Sequence, residues 1–238
     1  MEFKKEKVAE AVDALRKHLE VEASKKKSSL FDLDESINLV VALKKVPQQG
    51  RTKPFRLPLP NPIHTEDKEV CLFVKDPQRQ YKDLLKEKNV DFIKKVVGVQ
   101  KLREKYKAYE QKRALCSDFD FFLADDRVLP LLPRLIGKTF YDKKKYPIAV
   151  DMKKKDLAKE LTRALEATYF HINNGNCSVV KAGRTVQTVE EVVANIDAIV
   201  SNLKRVVPEG WDNVQSLHIK TPESVSLPIY LSKPSSSS

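Results

Sequence analysis

Residues 217–230 alternate between apolar and polar positions in two short runs. Leu217 and Ile219 fall on one side of an extended chain and His218 and Lys220 on the other; after a break at Thr221, Pro222 and Glu223 the apolar side resumes with Val225, Leu227 and Ile229. Two strands are therefore expected, with His218, Lys220, Ser224 and Ser226 on their second face. A row of hydrogen-bond donors with a positive charge on a rigid sheet suits phosphate and ribose oxygens.

Elsewhere near the two chain ends the spacing is mostly helical. Val8, Val12, Leu15 and Leu19 share one face of an opening helix. Asp34 or Ser36 can cap a second, shorter helix made apolar by Ile37, Val40, Val41 and Leu43. Leu157, Leu161, Ala164 and Leu165 predict an amphipathic helix. Thr188-Val-Glu-Glu191 is a capping box that opens a long helix with Val189, Val192, Val193, Ile196, Val200 and Leu203 inward. Across residues 51–63, Phe55, Leu57 and Leu59 alternate with Arg56, Pro58 and Pro60. Prolines cannot donate to a ladder, so this reads as an edge strand with one open face. Residues 169–173 and 177–181 predict a hairpin around Asn174-Gly175-Asn176.

Between residues 69 and 152 strands and helices take turns. Strands are expected at 70–74, 92–97, 119–123 and 147–150. The intervening helices begin at Tyr81, Leu84 and Leu85, continue through Val99, Leu102, Tyr106 and Tyr109, and end with a proline-interrupted stretch at 128–136. Such alternation predicts a small doubly wound parallel sheet. The whole is an α/β chain of two domains: residues 1–66 and 153–238 build one α+β domain from both ends, and residues 67–152 are inserted into it. Two connections between domains permit hinge motion. The serines at 235–238 read as a disordered tail.

Charge sharpens the choice of partner. A formal charge of +11 and a pI near 9.4, in a chain that still holds 33 acidic residues, favour RNA or DNA over an acidic protein or a membrane surface. No apolar run approaches the roughly 20 residues that span a bilayer, and the N-terminus lacks the apolar core of a secretion signal. The odd, isolated Cys71, Cys116 and Cys177 imply a reducing compartment and buried small hydrophobes.

Candidate chemistry adds little. The six glycines form neither a GxGxxG nor a Walker-type loop, so no nucleotide cofactor is expected. Asp118, Asp120, Asp125 and Asp126 bracket a strand as loop and cap residues rather than as a carboxylate pair or metal site. His18, His64, His171 and His218 have neither metal-ligand spacing nor a nucleophile partner; His171 and His218 are possible RNA contacts. The lysine runs at 25–27, 143–145 and 153–155 read as solvated surface. For 143–145, flanked by Phe140, Tyr141 and Tyr146, two readings stay open: packing of the insert's edge, or base stacking with phosphate contact.

Three segments carry a family resemblance: Ser117-Asp-Phe-Asp-Phe-Phe-Leu-Ala-Asp125, Leu132-Pro-Arg-Leu-Ile-Gly-Lys138 and Ile219-Lys-Thr-Pro-Glu-Ser-Val-Ser-Leu-Pro-Ile229. Together they resemble the ribosomal L-one stalk-protein family, and most closely its eukaryotic nucleolar branch of L-one domain-containing biogenesis proteins. The resemblance implies an end-built domain that holds an rRNA helix and a Rossmann-like, three-layer insert. It places the RNA face at Arg51, Lys53 and Arg56, at Lys181 and Arg184, and at Lys220, Thr221, Ser224 and Ser226. No catalytic, metal or small-molecule site and no cofactor is expected from the residues. The chain departs from the stalk protein at Gly137-Lys-Thr-Phe-Tyr-Asp-Lys-Lys-Lys-Tyr-Pro147 and around Thr221-Pro222-Glu223. Those departures favour an assembly factor that holds precursor rRNA in a pre-ribosomal particle, among other assembly factors in the nucleolus, and then leaves. The first rival expectation is a nucleolar protein-interaction module with RNA secondary, and the second an enzyme that uses the Rossmann-like insert.

Overall fold

The computed structural model describes residues 4–25 (backbone only for 22–25), 34–47, 53–63, 68–172 and 175–232. In chain order the elements are α1 (Lys5–Lys25), β1 (Ser36–Leu43), β2 (Phe55–Leu57), β3 (Val70–Val74), α2 (Gln78–Glu87), β4 (Ile93–Gly98), α3 (Val99–Glu104), α4 (Tyr109–Asp118) and β5 (Phe121–Asp125). There follow α5 (Leu132–Ile136), α6 (Lys138–Asp142), β6 (Ile148–Val150), α7 (Leu157–Glu166), β7 (Thr168–Phe170), β8 (Cys177–Arg184), α8 (Val189–Val206), β9 (Val214–Lys220) and β10 (Leu227–Leu231). Two compact units divide the chain, residues 1–63 with 166–238 and residues 64–165. The insert thus runs past residue 152 to 165 and takes in nearly all of α7.

The end-built unit is organised by a strand where the spacing predicts a short helix. Residues 36–43 satisfy both periods, since Ile37, Val40 and Val41 fit a helix while Ile37, Leu39, Val41 and Leu43 alternate. β-branched side chains favour the extended form, and tertiary pairing decides it. β1 lies in the middle of an antiparallel sheet ordered β10-β9-β1-β8 and bonds to a neighbour on each side. Ile37, Leu39, Val41 and Leu43 are buried in one core with Val8, Val12 and Leu15 of α1 and with Val192, Ile196, Ile199 and Leu203 of α8. Each such side chain contributes on the order of 2 kcal/mol by leaving water.

Two further expectations fail, the first through pairing of β8 with β1 and the second through the turn that precedes β10. Among the described residues the hairpin at 169–181 forms no ladder: β7 pairs with β2, Arg56 opposite Tyr169, while β8 pairs along β1; Asn173 and Asn174 of its turn lie outside the described residues. The last strand begins at Leu227, so Val225 is not on the packed face but 62% exposed. β2 is the expected edge strand, stopped after three residues by Pro58 and Pro60.

α8 begins with the expected capping box: Glu191 N–H donates to Thr188 Oγ1 at 3.2 Å and Thr188 N–H to Glu191 Oε2 at 2.9 Å. One polar residue on its buried face breaks the apolar pattern. Asn195 Nδ2 donates to Ala182 O (3.0 Å) and Asn61 O (2.9 Å), and its Oδ1 accepts from Asn61 N–H (3.0 Å). Ala182 lies where the β1–β8 register slips, so Asn195 satisfies a carbonyl that the ladder leaves over. At the adjacent Gly183 an added Cβ would meet Val192 Cγ2 at 3.0 Å, and glycine lets α8 approach β8 there.

The insert is a parallel sheet ordered β4-β3-β5-β6. All five residues of β3 are buried, as expected of strands covered on both faces. On one face Cys71, Phe73, Val97, Phe122 and Ala124 meet Leu102 of α3, Leu115 of α4, Leu132 of α5 and Phe140 of α6. Phe73 stacks on Phe122 at 5.6 Å, and Phe140 meets Phe122 edge-on at 4.7 Å.

Candidate nucleic-acid interface

Because α1 and α8 share one core on one side of the end-built sheet, its other face is the place for binding groups. β1 turns Asn38, Val40 and Ala42 to that face, and the register sets Asn38 between Lys181 of β8 and Lys220 of β9. Two lysines thus stand two strands apart, about 10 Å, with an amide between them. The next pair opposite Val40 is Val179 and His218, and the next opposite Ala42 is Cys177 and Ser216. Val179 is 54% exposed and Leu231, opposite Ser216, is 51% exposed. The face therefore combines cations at one end with an apolar strip.

The sequence-expected contacts separate into three groups. Lys181, Lys220 and Ser226 have exposed or half-buried side chains, with Lys181 and Lys220 sharing the Asn38 row. Lys53 is exposed and Arg56 half-buried, but they belong to β2 and its lead-in, a separate two-stranded sheet. Arg51 and His64 lie outside the described residues, as do Lys26 and Lys27.

The third group is held by the fold. Thr221 is fully buried and its N–H donates to Ser224 Oγ at 2.9 Å, while Ser224 Oγ donates to Val225 O at 3.0 Å. The Ser224 side chain fastens the turn before β10, and both side chains are buried away from the open face. Arg184 Nε donates to Asp34 Oδ1 at 2.9 Å, and the pair forms a salt bridge with both side chains largely buried. Among the histidines, His218 Nε2 lies 3.0 Å from Ser216 Oγ, and burial lowers the pKa of His171.

Two cysteines, Cys71 and Cys116, are buried, but Cys177 is exposed on the open sheet face, against expectation. An outward position on β8 decides this, not thiol hydrophobicity. Burial pushes the Cys71 thiol up to about 12, against an opposing pull from Lys95.

In the insert, Asp125 and two lysines of the run, Lys143 and Lys145, meet partners within the unit. Buried Asp125 accepts from Arg127 Nε (3.1 Å) and Nη2 (2.6 Å), and Arg127 Nη2 also donates to Tyr81 OH (2.8 Å). The bond to Asp125 raises the Arg127 pKa. Lys145 Nζ donates to Cys116 O (2.9 Å) and Phe119 O (2.6 Å), and Lys143 Nζ to Ser117 Oγ (3.0 Å). A cation at the end of α4 satisfies carbonyls the helix leaves free, so for Lys145 packing is the reading that holds. Among the described residues no three His, Cys, Asp or Glu side chains converge to hold a metal ion, and no helix is long and apolar enough to cross a membrane.

Sequence reasoning missed Asn38, Val40 and Ala42, and so the centre of the open face; the strict alternation of 37, 39, 41 and 43 was the available signal. It also missed Asn195, which nothing but its place among apolar residues marks.

A mixed α/β chain with this antiparallel sheet and this parallel insert matches known proteins over most of its length. The chain belongs to the Ribosomal protein L1p/L10e family, whose model matches residues 15–225. It is 39% identical over 218 residues, 87% of the chain, to the Schizosaccharomyces pombe protein named "Putative ribosome biogenesis protein C8F11.04". It is 37% identical over 234 residues, 92% of the chain, to mouse "Ribosomal L1 domain-containing protein 1". Against the Saccharomyces cerevisiae "Ribosome biogenesis protein UTP30" it is 30% identical over 188 residues, 69% of the chain and 68% of that protein. The matches span 58% and 51% of the lengths of the first two relatives.

Proposed function

We propose that this chain is a non-enzymatic rRNA-binding assembly factor that acts in nucleolar ribosome biogenesis, holding precursor rRNA in a pre-ribosomal particle together with other assembly factors. The observation that carries the reading is the Lys181–Asn38–Lys220 row on the open face of the antiparallel sheet. Two cations on a rigid support neutralise phosphates, and the amide between them can bond ribose or base edges. Membership of a ribosomal-protein family and the names of the relatives support the ribosomal setting. Lys53 and Arg56 extend the contact from the small sheet; Ser226 follows the turn that Thr221 and Ser224 hold, and Arg184 is proposed as a support for β8 more than as a phosphate ligand.

Exposed Val179 and Leu231 on the same face favour a second reading, a protein-docking surface in the nucleolus with RNA secondary. Crosslinking in cells followed by sequencing of attached RNA separates the two. Enrichment of precursor rRNA spacer or helix segments is expected. Recovery of background RNA alone, with the protein still in pre-ribosomal fractions, would leave the docking reading in its place.

A further inference from the structure

The charge is not where the sheet face is. The insert holds 25 Lys and Arg against 17 Asp and Glu, a formal +8, whereas the end-built unit holds 19 against 16, a formal +3. A polyanion would meet most of the excess on the unit that the reading above leaves without a role.

Within the insert, part of this charge gathers where α4 packs on α6. Lys112 Nζ lies 4.0 Å from the position that a Cβ on Gly137 would take, just before α6, and Lys143 Nζ reaches back to Ser117 Oγ at 3.0 Å. Arg113, Lys138 and Lys144 are exposed on the same two helices and the turn after them. They make no ion pair among the described residues. Glu110, Asp118 and Asp142 on these helices leave a positive balance.

An aromatic ring stands among these cations without a packing role. Tyr109 is 74% exposed at the first residue of α4, with Lys112 Nζ 5.8 Å from its ring centre and Arg113 one turn on. A ring this open contributes little to folding, and its free face can stack a base. Separated cations around an exposed aromatic suit a splayed single strand better than a duplex, whose bases are already stacked.

We infer that the α4–α6 face of the insert is a second RNA contact, taking a single-stranded segment by phosphate neutralisation at Arg113, Lys138 and Lys144 and by base stacking on Tyr109. This rests on the RNA-binding reading above and adds a site to it.

The test uses the full chain, a 20-nucleotide oligouridine and a structured precursor-rRNA fragment, with salt titrations of binding. Arg113→Gln/Lys138→Gln/Lys144→Asn should keep the parental melting temperature, because these side chains are exposed. Its slope of log K against log salt on oligouridine should be shallower by about two, at roughly 0.7 per phosphate lost, and affinity at near-physiological salt should fall roughly tenfold or more. Tyr109→Ala should weaken binding with the slope unchanged, since stacking releases no counterions. A triple variant with parental slope and affinity, or a Tyr109→Ala protein with parental affinity, would overturn the second site. If Lys181→Gln/Lys220→Gln loses the rRNA fragment while the triple variant behaves as parent, only the second site falls. A parent that binds neither RNA removes both readings.

Discussion

The two sheets bury their residues in opposite ways. In β1 burial alternates residue by residue, whereas in β3 all five residues are buried. Antiparallel strands with helices on one side leave a face to water; parallel strands joined by crossovers are covered on both. Binding groups can therefore stand on the sheet itself in the end-built unit. In the insert they must stand on helices, loops or strand ends.

Four changes would sharpen or break this contrast. The largest effect is expected at Phe122→Ala, which removes the ring that stacks on Phe73 and meets Phe140, at a cost of about 3–5 kcal/mol in chemical denaturation. A cost under about 1 kcal/mol would mean the insert's sheet is not the covered layer described. Next, neighbouring residues of one strand should behave differently. Leu39→Ala should cost about 2–5 kcal/mol and Val40→Ala about 1 or less, because only Leu39 faces the core. Equal costs would break the comparison at its centre.

Arg184→Ala should cost about 1–3 kcal/mol, since it strands Asp34 beside β1. Thermal stability equal to the parent would return Arg184 to the group of surface cations. The smallest effect is chemical: near neutral pH, Cys177 should be alkylated first and be shielded by bound RNA. Cys71, buried and with its thiol held near 12, should react only on unfolding. Mass spectrometry of labelled peptides reads this directly, and labelling of Cys71 at the rate of Cys177 would contradict the burial pattern.

Much of this fold was legible because local signals agreed with tertiary ones. Although the helix expected through Tyr109 ends at Glu104 and α4 begins anew at Tyr109, the capping box at Thr188 and Glu191, the α1 stripe and the four strands of the insert took the form that their periods predict. Residues 36–43 did not, because their apolar positions satisfy two periods and only pairing to β8 and β9 chooses between them. That one ambiguity concealed the middle of the open face. The turn at 221–226 misled in the other direction: its alternation continued through residues that a Thr221–Ser224 hydrogen bond folds into a loop. Of the candidate site, alternation pointed to Lys220 and the family resemblance to Lys181, but neither could separate them from Arg184, whose partner lies 150 residues away in sequence.

The central claim, that RNA lies on the open antiparallel face, is tested most directly by Lys181→Gln/Lys220→Gln in the full chain. With a precursor-rRNA fragment across a salt series, the account predicts an unchanged melting temperature. The slope of log K against log salt should be shallower by about one and a half, as expected for two lost phosphate contacts. Parental affinity and slope in a folded double variant would contradict it.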